Sequence, residues 1–296
     1  MIRAAIGGVG VWGPGLAGWP AARAVLAGTA PWQPDEGLPP APALLAPAER
    51  RRAGAATRLA LAVAAEACAG AGVAAGSLPG VFATSNGDGV VVGALLETLA
   101  SDAPQVSPTQ FHNSVHNAAA GYWTIATASR APVTCLSGHD GSFAAGLLRA
   151  TAEVCSTGGP VLLVVYDLPV PPPMMALRGT RFAFATALVL VPAAAVAPGA
   201  GEMEGPGTKG AGTEGAGVAR LAGFGLDFVA APVEAGRELP RRSELHDLAG
   251  ANPAARSLRL LEALAAGRAE RISLALFDGQ VDVALDPCST AAASAH

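Results

Sequence analysis

Two runs of consecutive apolar residues constrain the fold of this chain more than any other feature. Residues 161–166 (VLLVVY) and 184–191 (FATALVLV) carry no charged side chain. A strand with one wet face alternates apolar and polar residues, whereas a short run that is apolar throughout is typical of a strand buried on both faces. We therefore expect a sheet that lies between two layers of helices.

Further strands and helices alternate along the chain. Strands are predicted at 2–7, 81–85, 132–136, 161–166, 184–191 and 220–228, followed by a hairpin of 272–277 and 281–285 that turns at Asp278-Gly279. Helices are predicted at 18–27, 47–70, 90–100, 109–128, 141–155 and 254–266. This alternation predicts the α/β class, with an α/β/α layered arrangement and a mixed sheet.

One low-complexity stretch divides the chain. Residues 193–218 consist largely of Ala, Gly, Pro, Glu and Thr, a composition with too little apolar surface to order a segment. We predict a linker there. The first domain is then 1–192, and residues 219–288 form a C-terminal α/β extension that packs on it.

The composition excludes several classes of protein. The chain of 296 residues is 51% hydrophobic, which excludes wholesale disorder, and its net charge of −4 with only 19 Lys and Arg argues against nucleic-acid binding. The longest apolar run, Phe182 to Gly201, contains Pro192 and Pro198 and makes a poor membrane span. The N-terminus has Arg3 and then glycines rather than the apolar core of a secretory signal. We expect a cytoplasmic protein without membrane insertion.

The cysteines indicate reduced thiols. Cys68, Cys135, Cys155 and Cys288 are too few to staple a chain of this size, and none is in CxxC spacing.

Gly8, Gly10 and Gly13 match the spacing of a dinucleotide-binding loop, and Asp35 lies at a plausible distance. That loop must open a helix whose N-terminus faces the pyrophosphate, and Pro14-Gly15 opposes such a helix. Asp35 also lies in a proline-rich stretch with no strand before it. We interpret the three glycines as a turn from a strand into a loop, and we expect no cofactor.

Two histidine-containing segments suggest chemistry at first sight. His112 and His116 have the i, i+4 spacing of metal ligands on a helix, but no general-base Glu follows His112 and no third ligand is evident, so we expect hydrogen bonds and no metal. His139, Asp140 and Ser142 are too close in sequence for a triad, whose side chains converge from separate elements. We expect Asp140 to cap the helix that follows.

The sequence resembles the β-ketoacyl synthases. Arg3–Gly15 resembles their opening strand and Gly-x-Gly turn, and Ala22–Gly28 resembles the short helix that follows. The middle match is more specific: Asn117–Gly121, Thr124-Ile125 and Arg130–Pro132 resemble the synthase run N-x-x-A-G-x-x-[ST]-I-x(4)-R-G-P. The resemblance implies a thiolase-like fold, of which this chain holds the N-terminal half.

The resemblance also locates the synthase nucleophile. In that family the cysteine lies eight residues after the proline, in a C-x-S pattern at a helix start; here that position is Asp140, and Ser142 supplies the serine. The family's two later histidine motifs are absent, since His246 and His296 stand in unrelated contexts. A condensing enzyme needs a thiolate and two polar partners, so the resemblance implies that this chain has no catalytic residue of its own.

A subfamily resembles the chain more closely. Ser107–Asn117 and Val164–Asp167 look like the short chain-length factors of bacterial aryl-polyene and related pigment clusters. The resemblance implies a heterodimer with an active β-ketoacyl-ACP synthase, fed by acyl carrier protein, with an acyl tunnel at the interface. The implied tunnel and interface candidates are Phe111, His112, His116, Asn117, Gly121, Thr134, His139 and Ser142.

Two alternatives stay open at this point. The chain is an active acyltransferase or hydrolase that uses Cys135 or Ser142, or it is a homodimeric acyl-binding or scaffold protein without a synthase partner.

Overall fold

A computed structural model describes residues 1–35, 37, 39–193, 218–234 and 236–287. The strands are β1 (Ile2–Gly13), β2 (Leu16–Ala17), β3 (Gly80–Ala83), β4 (Val133–Leu136), β5 (Val161–Asp167), β6 (Phe184–Pro192), β7 (Ala222–Val229), β8 (Glu270–Leu276) and β9 (Gly279–Pro287). The α-helices are α1 (Trp19–Leu26), α2 (Pro47–Arg52), α3 (Ala55–Ala71), α4 (Gly89–Leu99), α5 (Pro108–Ser114), α6 (Ala118–Thr127), α7 (Ser142–Thr157), α8 (His246–Ala251) and α9 (Leu258–Ala265).

All nine strands form one mixed sheet. Its order is β4-β3-β5-β6-β1-β7-β9-β8, and β2 pairs with the end of β1. The neighbours of β3 run parallel to it, and every other pair is antiparallel. Helices α3 and α6 contribute to the core on one face, while α7, α1 and α9 contribute to the core on the other. The predicted α/β class and mixed sheet are confirmed.

Strand β1 continues well past the predicted end at residue 7, and the glycines explain why. A Cβ at Gly10 would lie 2.0 Å from the carbonyl oxygen of Val63 in α3, and Gly8 meets the backbone of the same helix. A Cβ at Gly13 would lie 2.3 Å from the ring of Phe184. These glycines therefore let α3 and a neighbouring strand approach β1 closely, and the turn predicted at this motif is wrong.

Two helices predicted as continuous are each broken. The helix predicted at 47–70 is interrupted at Gly54, where a Cβ would lie 2.4 Å from the Oδ2 atom of Asp88. That carboxylate caps α4 by accepting a hydrogen bond from the backbone N–H of Val91. Because it occupies the space beside residue 54, the helix is interrupted there. The helix predicted at 109–128 is interrupted because Val115 adopts an extended backbone between α5 and α6.

The C-terminal segment extends the same sheet. Strand β7 pairs with the outer edge of β1, and β9 and β8 follow. The predicted hairpin is present, but its turn is Phe277-Asp278, one residue earlier than predicted, because Leu276 pairs with Gly279. The predicted linker 193–218 lies outside the described residues except at its two ends. The domain boundaries stay predictions.

Cys68, Cys135 and Cys155 are free thiols, and Cys288 lies outside the described residues. Among the helices that the structure describes, none is both long enough and apolar enough to cross a membrane.

The close approach of α3 to β1 predicts a large effect of a single methyl group. Gly10→Ala should destabilise the fold by roughly 3 kcal/mol or more, because the added carbon meets a helix backbone that cannot move independently. Gly250→Ala in α8 is the matched control, since no atom lies within 4 Å of the added carbon, and alanine there should be neutral or stabilising by up to about 1 kcal/mol. Urea unfolding of both variants measures the difference, and equal free energies of unfolding would contradict the packing described.

Candidate functional site

The three parallel strands end at the same edge of the sheet, and the residues that follow them form one polar cluster. Thr84 to Asn86 follow β3, Ser137 to Asp140 follow β4, and Asp167 is the last residue of β5. In open α/β sheets, ligands and catalytic groups gather at the carboxyl ends of parallel strands. The topology therefore brings Asp140, which is predicted to be equivalent to the synthase nucleophile, to this edge.

Asp167 is the fully buried acidic residue of this cluster. Its Oδ1 atom accepts hydrogen bonds from the hydroxyl of Thr84 at 2.9 Å and from the backbone N–H groups of Ser85 at 2.8 Å and Asn86 at 3.2 Å. Its Oδ2 atom has no partner among the described residues. Burial raises the pKa of Asp167 to about 7, although the three hydrogen bonds and the positive charge of Arg178 act in the opposite direction.

Arg178, from the connection between β5 and β6, binds the other two strand ends together. Its Nε donates to the Oδ1 of Asn86 at 3.0 Å, and its Nη2 donates to the Oδ1 of Asp140 at 2.8 Å and also to the hydroxyl of Ser85. The ring of His139 lies against Nη1. One guanidinium therefore fixes the loops that follow β3 and β4 relative to each other.

A second guanidinium approaches Asp140 from the C-terminal segment. Arg256 lies in a 3₁₀ turn, Pro253–Ser257, and its Nη2 is 3.4 Å from the Oδ2 of Asp140. The residue that precedes α7 is Gly141, and no side chain caps this helix. The prediction that Asp140 caps α7 is therefore wrong: its carboxylate faces two guanidiniums, and charge-assisted hydrogen bonds to them are stronger than a bond to a neutral N–H.

The two candidate nucleophiles near Asp140 are not arranged for attack. Ser142 is fully buried; its hydroxyl donates to the carbonyl of His139 at 2.7 Å and accepts from the N–H of Gly138 at 3.1 Å. It holds the turn before α7. Cys135 lies within β4, and burial raises the pKa of its thiol, which lowers the fraction of reactive thiolate.

His139 and Thr134 flank this cluster. His139 is exposed and adopts a left-handed backbone with φ of 53°. Thr134 lies on the edge strand β4, where its hydroxyl accepts a hydrogen bond from Arg149 in α7 at 3.3 Å. Of these two residues, only His139 contacts Arg178 and Asp140.

The remaining candidates form a separate exposed strip around the break between α5 and α6. Phe111, His112, His116, Asn117 and Gly121 are all exposed. His112 and His116 do not share a helix, because α5 ends at Ser114. The ring of His112 instead packs edge-on against Tyr122 at 5.6 Å. Within the described residues, no group of three or more His, Cys, Asp and Glu side chains is placed to hold a metal ion.

Sequence reasoning missed most of the charged cluster. The sequence does contain a signal for Asp167: it directly follows the apolar run 161–166, and a carboxylate at the end of a buried strand needs hydrogen-bond partners. Asn252 supports the same strand end by donating to the carbonyls of Asp167 at 3.1 Å and Phe182 at 2.8 Å. Arg178 and Arg256 had no local signal, because each lies in an irregular connection and only the tertiary fold brings it to Asp140.

A family model decides the relationship of this chain. The model described as β-ketoacyl synthase, N-terminal domain, matches residues 25–216, which is more than half of the sequence. The chain belongs to the β-ketoacyl synthase family. That Asp140 occupies the position of the family's nucleophilic cysteine stays a prediction from its spacing after Pro132.

Solved structures with the same fold agree with this assignment. A chain of the ketosynthase in complex with its chain length factor from Xenorhabdus doucetiae aligns with a TM-score of 0.67 and 18% identity, over 96% of this chain and 100% of that one. The ishigamide ketosynthase/chain length factor gives 0.62 and 16%, over 96% and 99%. A β-ketoacyl synthase from Burkholderia phymatum STM815 gives 0.61 and 14%, over 97% and 100%.

These structural alignments establish the fold, which is the predicted thiolase-like ketosynthase fold. No curated protein matches the sequence of this synthase-family chain.

The buried carboxyl of Asp167 predicts how stability depends on pH. Because its pKa is raised, the folded chain binds a proton between about pH 4 and pH 7 that the unfolded chain has released, so the contribution of Asp167 to stability falls as pH rises through this window. The fall is about 1.4 kcal/mol per pH unit and stops near pH 7. Asp167→Asn keeps an acceptor oxygen and should make the slope shallower. A smaller slope of the same sign should remain, because burial also raises the pKa of Glu66 and of Asp88.

Denaturant unfolding of the wild type and Asp167→Asn between pH 5 and pH 8 tests this. The exposed Asp102→Asn is the control and should keep the wild-type slope. A slope in Asp167→Asn as steep as that of the wild type would contradict the contribution of Asp167.

Proposed function

We propose that this chain is a non-catalytic chain-length-factor subunit that pairs, in the cytoplasm, with an active β-ketoacyl-ACP synthase of polyketide or aryl-polyene-type biosynthesis. Its proposed role is to complete the interface at which the partner's acyl chain grows and to shape the end of the tunnel. The observation that carries the proposal is the carboxylate of Asp140, which lies between Arg178 and Arg256. We propose, from the spacing after Pro132, that this residue is equivalent to the synthase nucleophile.

The chemistry at position 140 supports a role without an acyl-enzyme. Acyl transfer from a thioester needs a nucleophile that forms a stable but transferable ester, as a thiolate does. A carboxylate would form an anhydride, which water destroys. The two guanidiniums also hold the negative charge of Asp140 and lower its nucleophilicity further.

An exposed apolar surface supports the pairing. Phe111 on α5 and Ile125 on α6 are 64% and 61% exposed, and Val115 between these helices is 43% exposed. Helix α4, which packs on α5, adds Val90, Leu96 and Leu99, each more than half exposed. Apolar side chains grouped on neighbouring elements are typical of a surface that another protein covers.

The edge of the sheet supports the same location. Strand β4 pairs only with β3 within the described residues, so its outer edge presents free backbone groups. Its residues 133–136 are all half-buried rather than fully covered. An uncovered edge strand is a template for pairing with another chain. We infer that β4 and the α5–α6 surface contact the synthase partner.

Acyl carrier protein is the proposed source of the growing chain. One similar structure is described as a type II polyketide acyl-carrier protein in complex with its ketosynthase bound to the hexaketide; it aligns with a TM-score of 0.64 and 12% identity over 97% of this chain. We propose that the carrier delivers its acyl group to the partner and that this chain receives none.

Substitutions on the exposed apolar surface test the pairing. Phe111→Asp and Ile125→Asp should each weaken copurification with the synthase from the same gene cluster by at least about tenfold, because a buried unpaired charge costs more than 1.4 kcal/mol. Phe277→Asp is the matched control: Phe277 is 87% exposed on the β8–β9 turn and lies outside this surface, so pairing should be unchanged. Unimpaired copurification of both surface variants would contradict the proposed interface.

Intact-mass spectrometry tests the absence of an acyl-enzyme. After incubation with malonyl-ACP and acyl-ACP the mass of this chain should be unchanged, while the synthase partner gains an acyl group. A mass increase that disappears in Cys135→Ser or Ser142→Ala would instead establish an acyltransferase or hydrolase. Sedimentation of the chain alone distinguishes the third candidate, a homodimer that ignores every synthase offered.

A further inference from the structure

We propose that Asp140 is an internal ligand: its carboxylate fills a pocket that, without it, binds a small free carboxylate such as acetate or malonate. The inference concerns the charges around Asp140 alone, and it holds whether or not the chain pairs with a synthase.

A cavity of about 200 Å³ lies beside this carboxylate. Its wall includes His139, Arg178 and Arg256, together with Thr180 and Asn252. The cavity is mostly polar, and its volume exceeds that of acetate or malonate. The space needed for a free carboxylate is therefore present next to the position that Asp140 occupies.

The exposure of the three charged groups shows which of them belongs to the wall. The side chains of Arg178 and Arg256 are 22% and 28% exposed, whereas that of Asp140 is 41% exposed. Of these three side chains, that of Asp140 thus has the largest exposed fraction, and those of Arg178 and Arg256 are more buried. Removing Asp140 opens the cluster from the solvent side and leaves two guanidiniums with no other ion pair to a described acidic side chain.

Arg178 is fixed independently of Asp140. Its guanidinium also donates to the side chains of Ser85 and Asn86, and these residues are held by the buried carboxylate of Asp167 through their backbone N–H groups. The cation therefore keeps its position when position 140 is neutral. When position 140 is neutral, the Nη2 atom that donates to Asp140 can donate to a free carboxylate, and such a charge-assisted hydrogen bond is strong.

Among the described residues, two other acidic side chains lie near the pocket. Glu238 borders a second small cavity shared with Asp140 and Arg256, and it is an alternative anion for Arg256. Asp167 lies behind Arg178 and is buried, so it does not compete from the solvent side. His139 lies against both Arg178 and Asp140 and completes the set.

The proposal predicts rescue of a truncated variant by a free carboxylate. In the full-length chain, Asp140→Ala should lower the Tm by about 3 to 6 °C, because two like charges lose their shared counter-ion. Sodium acetate and sodium malonate should raise this Tm saturably, whereas sodium chloride at equal ionic strength should not. The wild type should show no such saturable difference between the salts, because its two guanidiniums are already paired with Asp140.

Two further variants establish where the anion binds. In Asp140→Ala/Arg178→Met the acetate-specific rise should disappear, since the fixed guanidinium is gone. In Asp140→Ala/Glu238→Gln it should persist or increase, because the alternative anion is removed. Should Asp140→Ala fail to fold in chloride, its refolding yield is the readout and should recover in acetate only.

Equal Tm shifts of Asp140→Ala in acetate and chloride would overturn the proposal. An acetate-specific rise that survives in Asp140→Ala/Arg178→Met, or that the wild type also shows, would overturn it as well. None of these outcomes bears on copurification with a synthase, so a failure here is distinguishable from a failure of the proposed function.

Discussion

The structure depends on the pairing of β1 along both of its edges. This strand is antiparallel to β6 on one side and to β7 on the other, so it joins the synthase-like part of the sheet to the C-terminal strands. Gly8 and Gly10 allow α3 to lie directly on its backbone. Because β7 is anchored in this way, the segment that follows it returns across the sheet and delivers Arg256 to Asp140. The charged cluster is thus a consequence of how the sheet is assembled.

The cluster itself shows how the fold accommodates a partly buried carboxylate after the carboxyl end of β4. An unpaired charge at a half-buried site is costly, and here Arg178 and Arg256 both compensate for it. Arg178 in turn is held by Asn86, whose backbone N–H is bound by the buried Asp167. The site is polar and well connected, the hydroxyl of Ser142 is held by the backbone, and burial raises the pKa of the Cys135 thiol.

Parts of this picture could be predicted from the sequence, and others could not. The apolar runs 161–166 and 184–191 predicted buried strands because burial on both faces leaves a local signature, and both are strands in the structure. The break at Gly54 depends on Asp88, which is distant in the sequence, so helical periodicity could not show it. The glycines of β1 were misinterpreted for the same reason: their function is to admit α3, and no local pattern distinguishes that from a turn.

The candidate site, like the fold, could be predicted from the sequence only in part. The spacing from Pro132 predicts that Asp140 is equivalent to the synthase nucleophile, and this assignment stays a prediction; in the fold, Asp140 lies in the loop after the carboxyl end of β4. Its partners were beyond prediction, because Arg178 and Arg256 lie in irregular connections whose positions are set by tertiary packing. The sequence therefore shows that position 140 carries a carboxylate and not a thiol, and only the structure shows which side chains bind this carboxylate.

The central claim is that position 140 is an ion-paired carboxylate and not a reactive group, and a double-mutant cycle measures this directly. Free energies of unfolding of the wild type, Asp140→Asn, Arg178→Met and the double variant give the coupling between the two side chains. Because Asp140 is 41% exposed, the ion pair predicts a favourable coupling of about 0.5 to 1 kcal/mol that shrinks as salt is added. Effects that add to within about 0.3 kcal/mol at low salt would contradict it.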